Sequence, residues 1–167
     1  MSGSAPTPRP PGTTYNLLFV CTGNTCRSPM AEAIATGLLS ERGWTHVEVR
    51  SAGISAADGS PATREAVDVS REQGLDLARH ASRLVTPELL EWADLVLAMG
   101  SSHMRALEDL GTGGKAALVS SFLDGDGTGE SIADPFGSDI DSYRRTFTEL
   151  RTAVAAVLDR LEPILAP

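Results

Sequence analysis

The chain has 167 residues, of which 41% are hydrophobic and 22% charged, as expected for one globular domain with a filled core. Acidic residues outnumber basic ones 22 to 14, and the net charge of -8 disfavours nucleic acids and membrane surfaces as partners. No apolar run reaches the roughly 20 residues that cross a bilayer. The two cysteines, Cys21 and Cys26, are too close together to link distant elements, so we expect chemically active thiols in a reducing, cytoplasmic setting.

Two parts of the chain differ in composition. Residues 1–14 contain four prolines among Ser, Gly and Thr, which neither continue a helix nor bury apolar area. This segment is therefore expected to be a disordered leader. Residues 15–167 show no internal repeat and are expected to fold as a single domain that acts as a monomer.

The first predicted elements are a strand, a seven-residue loop and a helix. The unbroken apolar run at 16–20 is typical of a buried parallel strand, and it leads directly into Cys21. After the loop, Ser28 is expected to supply an N-cap side chain and Pro29 a fixed dihedral in the first helical turn. Apolar residues then continue at helical spacing as far as Leu39.

The same alternation continues to the end of the chain. The pattern predicts further strands at 46–50, 94–98 and 116–119, and helices at 63–73, 86–92, 102–110 and 139–161, with a long loop before the last helix. Four short strands alternating with helices indicate an α/β fold, a doubly wound four-stranded parallel sheet with helices on both faces. Ligands of such sheets bind beyond the carboxyl ends of the strands, where Cys21 lies.

The loop after the first strand has the features of an anion site. It begins at the end of a predicted central strand and ends at a helix N-terminus, where free backbone N–H groups and the helix dipole favour an anion. Gly23 and Asn24 are residue types that tolerate left-handed backbone angles, so the loop can curl and direct successive N–H groups inward. Such a ring suits a tetrahedral phosphate.

Within this loop, Cys21 has the surroundings of a nucleophile. The helix terminus, the Arg27 guanidinium and the Ser28 hydroxyl all stabilise a thiolate, so we expect the sulfur to be ionised at neutral pH. Arg27 can hold two phosphoryl oxygens at once, and this contact strengthens as charge spreads over them in the transition state.

Asp134 is the predicted proton donor. A leaving group that is not a stable anion needs a proton, and Asp134 follows the fourth predicted strand, on the same rim of the sheet as Cys21. Pro135 stiffens the chain at this point. We expect Phe136 to shield the carboxyl group from water, which favours its protonated form.

Four blocks of the sequence resemble the low-molecular-weight protein tyrosine phosphatases, in that family's order. They are VCTGNTCRSPMAE at 20–32, RSAG at 50–53, ADLVLAM at 93–99 and DPFG at 134–137. The resemblance covers residues 16–161. It implies the fold of that family and a phosphatase that acts on phosphorylated proteins without a metal or another cofactor.

The resemblance also implies roles for individual residues. Cys21 would be the nucleophile that forms a phosphocysteine intermediate, and Arg27 would clamp the phosphate. Asp134 would first protonate the leaving group and then activate water. Asn24 and Ser28 would organise the loop and its thiolate, and the whole phosphate-binding loop would comprise Thr22, Gly23, Asn24, Thr25, Cys26 and Ser28.

Two positions, Thr25 and Phe136, indicate the substrate. In tyrosine-directed members of the family the position of Thr25 is usually Ile, and the aspartate-proline pair is commonly followed by tyrosines. The residues found here, with the spacing of DPFGSDIDSY, are similar to the protein-arginine phosphatase branch. Compared with isoleucine, threonine at position 25 is less bulky and carries a hydroxyl, which suits a flat, polar guanidinium. Such a change shifts the discrimination between two substrates by about 1–3 kcal/mol. We predict phosphoarginine in proteins as the substrate, with phosphotyrosine as the alternative.

Three further features allow competing interpretations. Cys26 either forms a reversible disulfide with Cys21 or packs passively. Residues 124–130 look like the start of a calcium loop, but its twelfth position is Pro135 instead of a glutamate, so a solvated loop is expected. A non-catalytic phosphate-binding module is the remote alternative, disfavoured because the nucleophile, the arginine and the acid are all present.

The histidines show no pattern of metal ligation. His46, His80 and His103 fall in separate predicted elements without ligand spacing. They are therefore expected to be structural or surface residues.

Overall fold

A computed structural model describes residues 14–123 and 131–165. The predicted leader lies outside the described residues except for Thr14, and so does the calcium-like segment 124–130. The described strands are β1 (Tyr15–Cys21), β2 (Val47–Gly53), β3 (Leu95–Ala98) and β4 (Ala116–Leu118). The described α-helices are α1 (Arg27–Arg42), α2 (Arg64–Glu72), α3 (Pro87–Trp92), α4 (Ser101–Leu110) and α5 (Ile140–Leu165). No helix within these residues is long and apolar enough to cross a membrane.

The four strands form one parallel sheet in the order β2-β1-β3-β4. The central strand β1 is covered on both faces, so its residues Leu17, Leu18, Phe19 and Val20 are all fully buried, which explains their unbroken hydrophobicity. Cys21 therefore emerges at the carboxyl edge of a central strand, the position that favours a ligand site in open α/β sheets.

Alternate residues of β1 face two separate cores. Leu17 and Phe19 belong to the larger core, which also contains the buried faces of α1 and α5. Leu18 and Val20 belong to the smaller core, which is closed by α3 and α4. Helices thus cover both faces of the sheet, and the predicted doubly wound fold is confirmed.

Some element boundaries differ from the prediction. The second strand extends to Gly53, and the fourth ends at Leu118, where a 3₁₀ turn, Val119–Phe122, begins. The last helix continues past Pro163 to Leu165. Proline lacks the backbone donor that would bond four residues back, but only two helical residues follow it, so a bend at this point displaces little of the helix.

The predicted N-cap of the first helix is wrong. Helix α1 begins at Arg27, with Cys26 at the N-cap position, and no side chain caps it. The Ser28 hydroxyl oxygen instead lies 2.9 Å from the Cys21 sulfur and 3.4 Å from the Ala52 carbonyl oxygen. Because this buried hydroxyl already has partners in the loop and in β2, it does not cap the helix. Pro29 fits the first turn as predicted.

Candidate active site

Cys21 is the last residue of β1, and its sulfur is surrounded by polar groups of the loop. The residue is 3% exposed. Its Sγ lies 2.9 Å from Ser28 Oγ and accepts a hydrogen bond from the backbone N–H of Asn24 at 3.3 Å. With the N-terminus of α1 next to it, this arrangement stabilises negative charge on the sulfur.

Asn24 organises the loop from a left-handed backbone conformation. Its φ of 57° is the only positive value among the described non-glycine residues, and Gly23 does not share it. The side-chain amide donates to Ser28 Oγ at 2.9 Å and to Ser51 Oγ at 3.0 Å, while its oxygen accepts from the Arg83 N–H at 2.9 Å. Asn24 is fully buried, so these three bonds satisfy the amide where water does not reach it.

Two further side chains support Asn24 from outside the loop. Ser51 Oγ donates to Glu32 Oε1 at 2.6 Å, which fixes the direction of the Ser51 hydroxyl. His80 Nε2 lies 2.7 Å from the backbone oxygen of Asn24 and hydrogen-bonds to it. The loop is thereby tied to α1, to β2 and to the segment that follows α2.

Gly53, the last residue of β2, lies against the backbone of the loop. A Cβ at this position would come 2.5 Å from the backbone oxygen of Thr22 and 2.9 Å from the nitrogen of Asn24. The N–H groups of Ile54 and Ser55 donate to the carbonyl oxygens of Cys21 and Thr22, each at 2.9 Å. Only glycine permits this close approach of two backbones.

Arg27 and Asp134, the predicted phosphate clamp and proton donor, lie next to each other. The Arg27 side chain is buried, and its Nη1 donates to the Ile132 carbonyl oxygen at 3.0 Å. Its Nη2 lies 3.5 Å from Asp134 Oδ2. One end of the guanidinium is therefore held by the backbone, and the acid lies directly beside it.

A cleft of about 370 Å³ contains all three of these groups. Its lining residues are Cys21, Thr22, Gly23, Thr25, Cys26, Arg27, Ser55, Ala56, Ala57, Asp134 and Phe136. The sequence-predicted nucleophile, arginine, acid and specificity residues thus line one opening. Asn24 and Ser28 lie behind it, fully buried.

The expected shielding of Asp134 by Phe136 is wrong. Phe136 is 67% exposed, and the Asp134 side chain is 51% exposed. The backbone N–H of Phe136 bonds to Asp134 Oδ1 at 3.1 Å in a local turn, which holds the ring outward at the mouth of the cleft. The aromatic ring forms a wall for a ligand and does not cover the acid.

Cys26 has different surroundings from Cys21. Its sulfur lies 3.4 Å from the Tyr143 hydroxyl and 3.6 Å from the Thr63 hydroxyl. Burial raises the pKa of the Cys26 thiol above its usual range, with these hydroxyls opposing the shift. Burial also raises the pKa of Tyr143. Both cysteines are free thiols, and the disulfide and passive-packing interpretations of Cys26 both remain predictions.

The model of the low molecular weight phosphotyrosine protein phosphatases matches residues 16–164. The chain belongs to this family. A protein-arginine-phosphatase of Geobacillus stearothermophilus is 41% identical over 148 residues, which cover 89% of this chain and 97% of the relative. The low molecular weight protein-tyrosine-phosphatase PtpB of Staphylococcus haemolyticus is 36% identical over 135 residues, covering 80% and 91%. The resemblance found in the sequence blocks is confirmed.

A solved structure of this phosphatase family is similar over most of the chain. It is the YwlE arginine phosphatase with its active-site cysteine replaced by a phosphorylated serine. The TM-score is 0.82 at 37% identity, and the match covers 88% of this phosphatase and 95% of the other chain.

The residues that support the phosphatase loop from a distance were not predicted. Ser51 lies in a block that the resemblance picked out, but no role was assigned to it. His80 and His103 were expected to be structural or surface residues, and both bond to the loop: His80 to Asn24, and His103 to the hydroxyl of Thr22. No local spacing could signal this, because 56 and 81 residues separate the partners.

Proposed function

We propose that this protein is a cysteine-dependent phosphatase that dephosphorylates phosphoarginine residues in proteins through a phosphocysteine intermediate. The observation that carries the proposal is the convergence of Cys21, Arg27 and Asp134 on one cleft. A nucleophile, a phosphate clamp and a proton donor at one opening are the parts that phosphoryl transfer to sulfur requires.

In the first step the Cys21 sulfur attacks the phosphorus atom, and the bond from phosphorus to the leaving nitrogen breaks. Asp134 gives its proton to that nitrogen, so an arginine side chain leaves with its full set of protons. Arg27 and the loop N–H groups hold the phosphoryl oxygens, and these contacts strengthen as the transition state spreads charge over them.

In the second step the phosphocysteine is hydrolysed. Asp134, now a carboxylate, takes a proton from a water molecule, whose oxygen attacks phosphorus while the phosphorus–sulfur bond breaks. Inorganic phosphate leaves, the Cys21 thiolate is restored, and Asp134 is protonated again. The related arginine phosphatase with a phosphorylated serine at its active-site cysteine supports a covalent intermediate at this position.

Two observations support arginine as the leaving group. The relatives named protein-arginine-phosphatase include one that is 41% identical to this chain. The cleft is also lined by Thr25, which carries a hydroxyl, by Asp134, whose carboxyl group can accept a hydrogen bond, and by the exposed ring of Phe136. A guanidinium has N–H donors for the two polar groups and a flat cationic face that an aromatic ring attracts.

Phosphotyrosine is the second candidate substrate, because PtpB, which is named for tyrosine, is 36% identical over most of its length. The exposed Phe136 ring can stack on a phenol as well as on a guanidinium. The two substrates differ in their hydrogen bonds, since a phenolic ester offers Thr25 no N–H donor.

The deciding experiment compares a phosphoarginine peptide with a phosphotyrosine peptide of the same sequence. We expect wild-type kcat/KM to favour phosphoarginine, and Thr25→Ile to reduce that preference by about tenfold or more. Thr25→Val is the matched control for the hydroxyl alone, because it keeps the β-branched shape. Equal or tyrosine-favouring wild-type rates would refute the arginine assignment and leave the phosphatase assignment standing.

The setting of the proposed activity follows from its chemistry. A thiolate nucleophile must stay reduced, so we expect the enzyme in the cytoplasm. Its partners are phosphorylated proteins, and a net charge of -8 argues against nucleic acids and membrane surfaces. We expect a monomer, which sedimentation can check.

A further inference from the structure

His103 is a buried histidine outside the residues that the sequence assigned to the site. It lies in the first turn of α4 and is 5% exposed. Its Nε2 lies 2.8 Å from the Oγ1 of Thr22, the residue directly after the nucleophile. Its Nδ1 is buried and has no hydrogen-bond partner among the described residues.

The surroundings keep the His103 ring neutral. Burial lowers the pKa of His103, the positive charge of Arg27 lowers it further, and Asp134 acts in the opposite direction. The positive end of the α4 dipole adds to the same effect. In a neutral imidazole one nitrogen donates and the other accepts.

The unpartnered nitrogen indicates which tautomer is present. A buried N–H without an acceptor is rarer in proteins than a buried acceptor without a donor. Nδ1 lies on the side of Gly100, at the positive end of α4, where a lone pair is better placed than a hydrogen. The hydrogen therefore belongs on Nε2, which donates to Thr22.

Thr22 is held from two sides. Its backbone oxygen accepts from the Ser55 N–H at 2.9 Å, and its hydroxyl oxygen lies 2.8 Å from His103 Nε2, which donates to it in the tautomer inferred above. Thr22 is otherwise exposed and lines the cleft, so without His103 its side chain would exchange between rotamers. Because His103 supplies the hydrogen of their bond, the hydrogen of the Thr22 hydroxyl is free for another acceptor.

We propose that His103 is a positioning residue for the reaction: it orients the Thr22 hydroxyl so that its free hydrogen bonds to a phosphoryl oxygen of the substrate. Phosphoryl oxygens are the acceptors that every substrate brings to the nucleophile, whereas a guanidinium brings donors only. The role rests on the proposed phosphatase function, but it is independent of whether arginine or tyrosine is released.

The test is a double-mutant cycle between His103 and Thr22. We expect His103→Leu and Thr22→Val each to lower kcat/KM by about tenfold, since each removes the oriented donor. The double variant should lose no more than either single variant, because the second change removes nothing that is left. A role of His103 that does not act through Thr22 predicts losses that multiply, and that result would overturn the proposal.

Two further readouts sharpen the cycle. His103→Gln keeps a side-chain N–H near the Nε2 position and should retain activity within about threefold of wild type; a loss as large as that of His103→Leu would overturn the proposal. The phosphoarginine peptide and p-nitrophenyl phosphate should be affected alike, because they share the phosphoryl group. A loss confined to the phosphoarginine peptide would place Thr22 at the leaving group and also refute it.

Binding separates this proposal from the proposed function. The affinity for inorganic phosphate, measured by calorimetry, should fall by about tenfold in His103→Leu whether or not the wild type turns over either substrate. Unchanged affinity would contradict the proposal, while a wild type that hydrolyses neither substrate contradicts the proposed function. His46→Gln is the matched histidine control: His46 bonds to the Leu165 carbonyl oxygen, far along the sheet from the loop, and its loss should change none of these values.

Discussion

The two sides of the phosphate loop are built in opposite ways. On the side of Asn24, every polar atom of the amide has a partner, and the residue is fully buried. On the side of Asp134 and Phe136, both residues are more than half exposed, and the one ion-pair contact of the carboxylate within residues 14–123 and 131–165 is with Arg27, at 3.5 Å.

This difference indicates that the two sides have different functions. The buried side fixes the nucleophile and the loop before any ligand arrives, which avoids reorganisation during the reaction. The open side leaves the acid and the aromatic wall accessible to a leaving group of variable shape. Substitutions on the buried side should therefore affect all substrates, and substitutions on the open side should discriminate among them.

The largest effect is expected from Cys21→Ser, which removes the nucleophile that the buried side holds. Turnover should fall below detection, because a serine hydroxyl in the same place has no comparable anion at neutral pH. Vanadate or phosphate binding should survive, as measured by calorimetry, since the loop remains. Persistent turnover by this variant would remove Cys21 from the mechanism.

Asp134→Asn, a change on the open side, should lower activity on one substrate much more than on another. The kcat/KM of the phosphoarginine peptide should fall by about 100-fold or more, because its basic leaving group needs the proton. For p-nitrophenyl phosphate the same ratio should fall by less than about tenfold, since its leaving group is already a stable anion. Steady-state kinetics on both substrates measure the contrast, and equal losses would argue against Asp134 as the acid.

Asn24→Gly, a change on the buried side, should lower activity on both substrates to a similar extent. The variant loses the side-chain bonds to Ser28, Ser51 and the Arg83 N–H, so we expect a loss of about tenfold or more on both substrates. Asn24→Ala is its matched partner, since alanine adds backbone strain of about 1 kcal/mol at a positive φ. Denaturant unfolding should rank the alanine variant below the glycine variant; the reverse order would show that φ strain is not the cause.

The smallest expected effect is a difference in alkylation rate between the sulfurs of Cys21 and Cys26, which can be measured on the wild-type protein. The raised pKa of Cys26 keeps its thiol protonated at neutral pH, and its ionised fraction grows only as the pH rises above the usual cysteine range. Iodoacetamide should therefore label Cys21 first at pH 7, with Cys26 following only in alkaline solution. Mass spectrometry of timed samples gives both rates, and equal rates at pH 7 would contradict the different surroundings of the two sulfurs.

The sequence was sufficient for the parts of the molecule in which neighbours along the chain are also neighbours in space. The buried run before Cys21 and the alternation of strand and helix patterns along the chain predicted the parallel sheet and the location of the loop. The supports of Asn24 could not be found in this way, because its partners Ser51, His80 and Arg83 are 27, 56 and 59 residues away. The N-cap assigned to Ser28 failed because the curl of the loop brings its hydroxyl to the Cys21 sulfur and the Asn24 amide, each at 2.9 Å.

Gly53 has a consequence for how activity is inferred across related sequences. A single methyl group there would collide with the backbone of the loop and displace the backbone N–H groups that line it. The methyl group would touch none of the reactive side chains. A chain carrying alanine at this position would still match every reactive residue yet be a poor enzyme. Searches for active homologues should therefore require this glycine as strictly as they require the thiol.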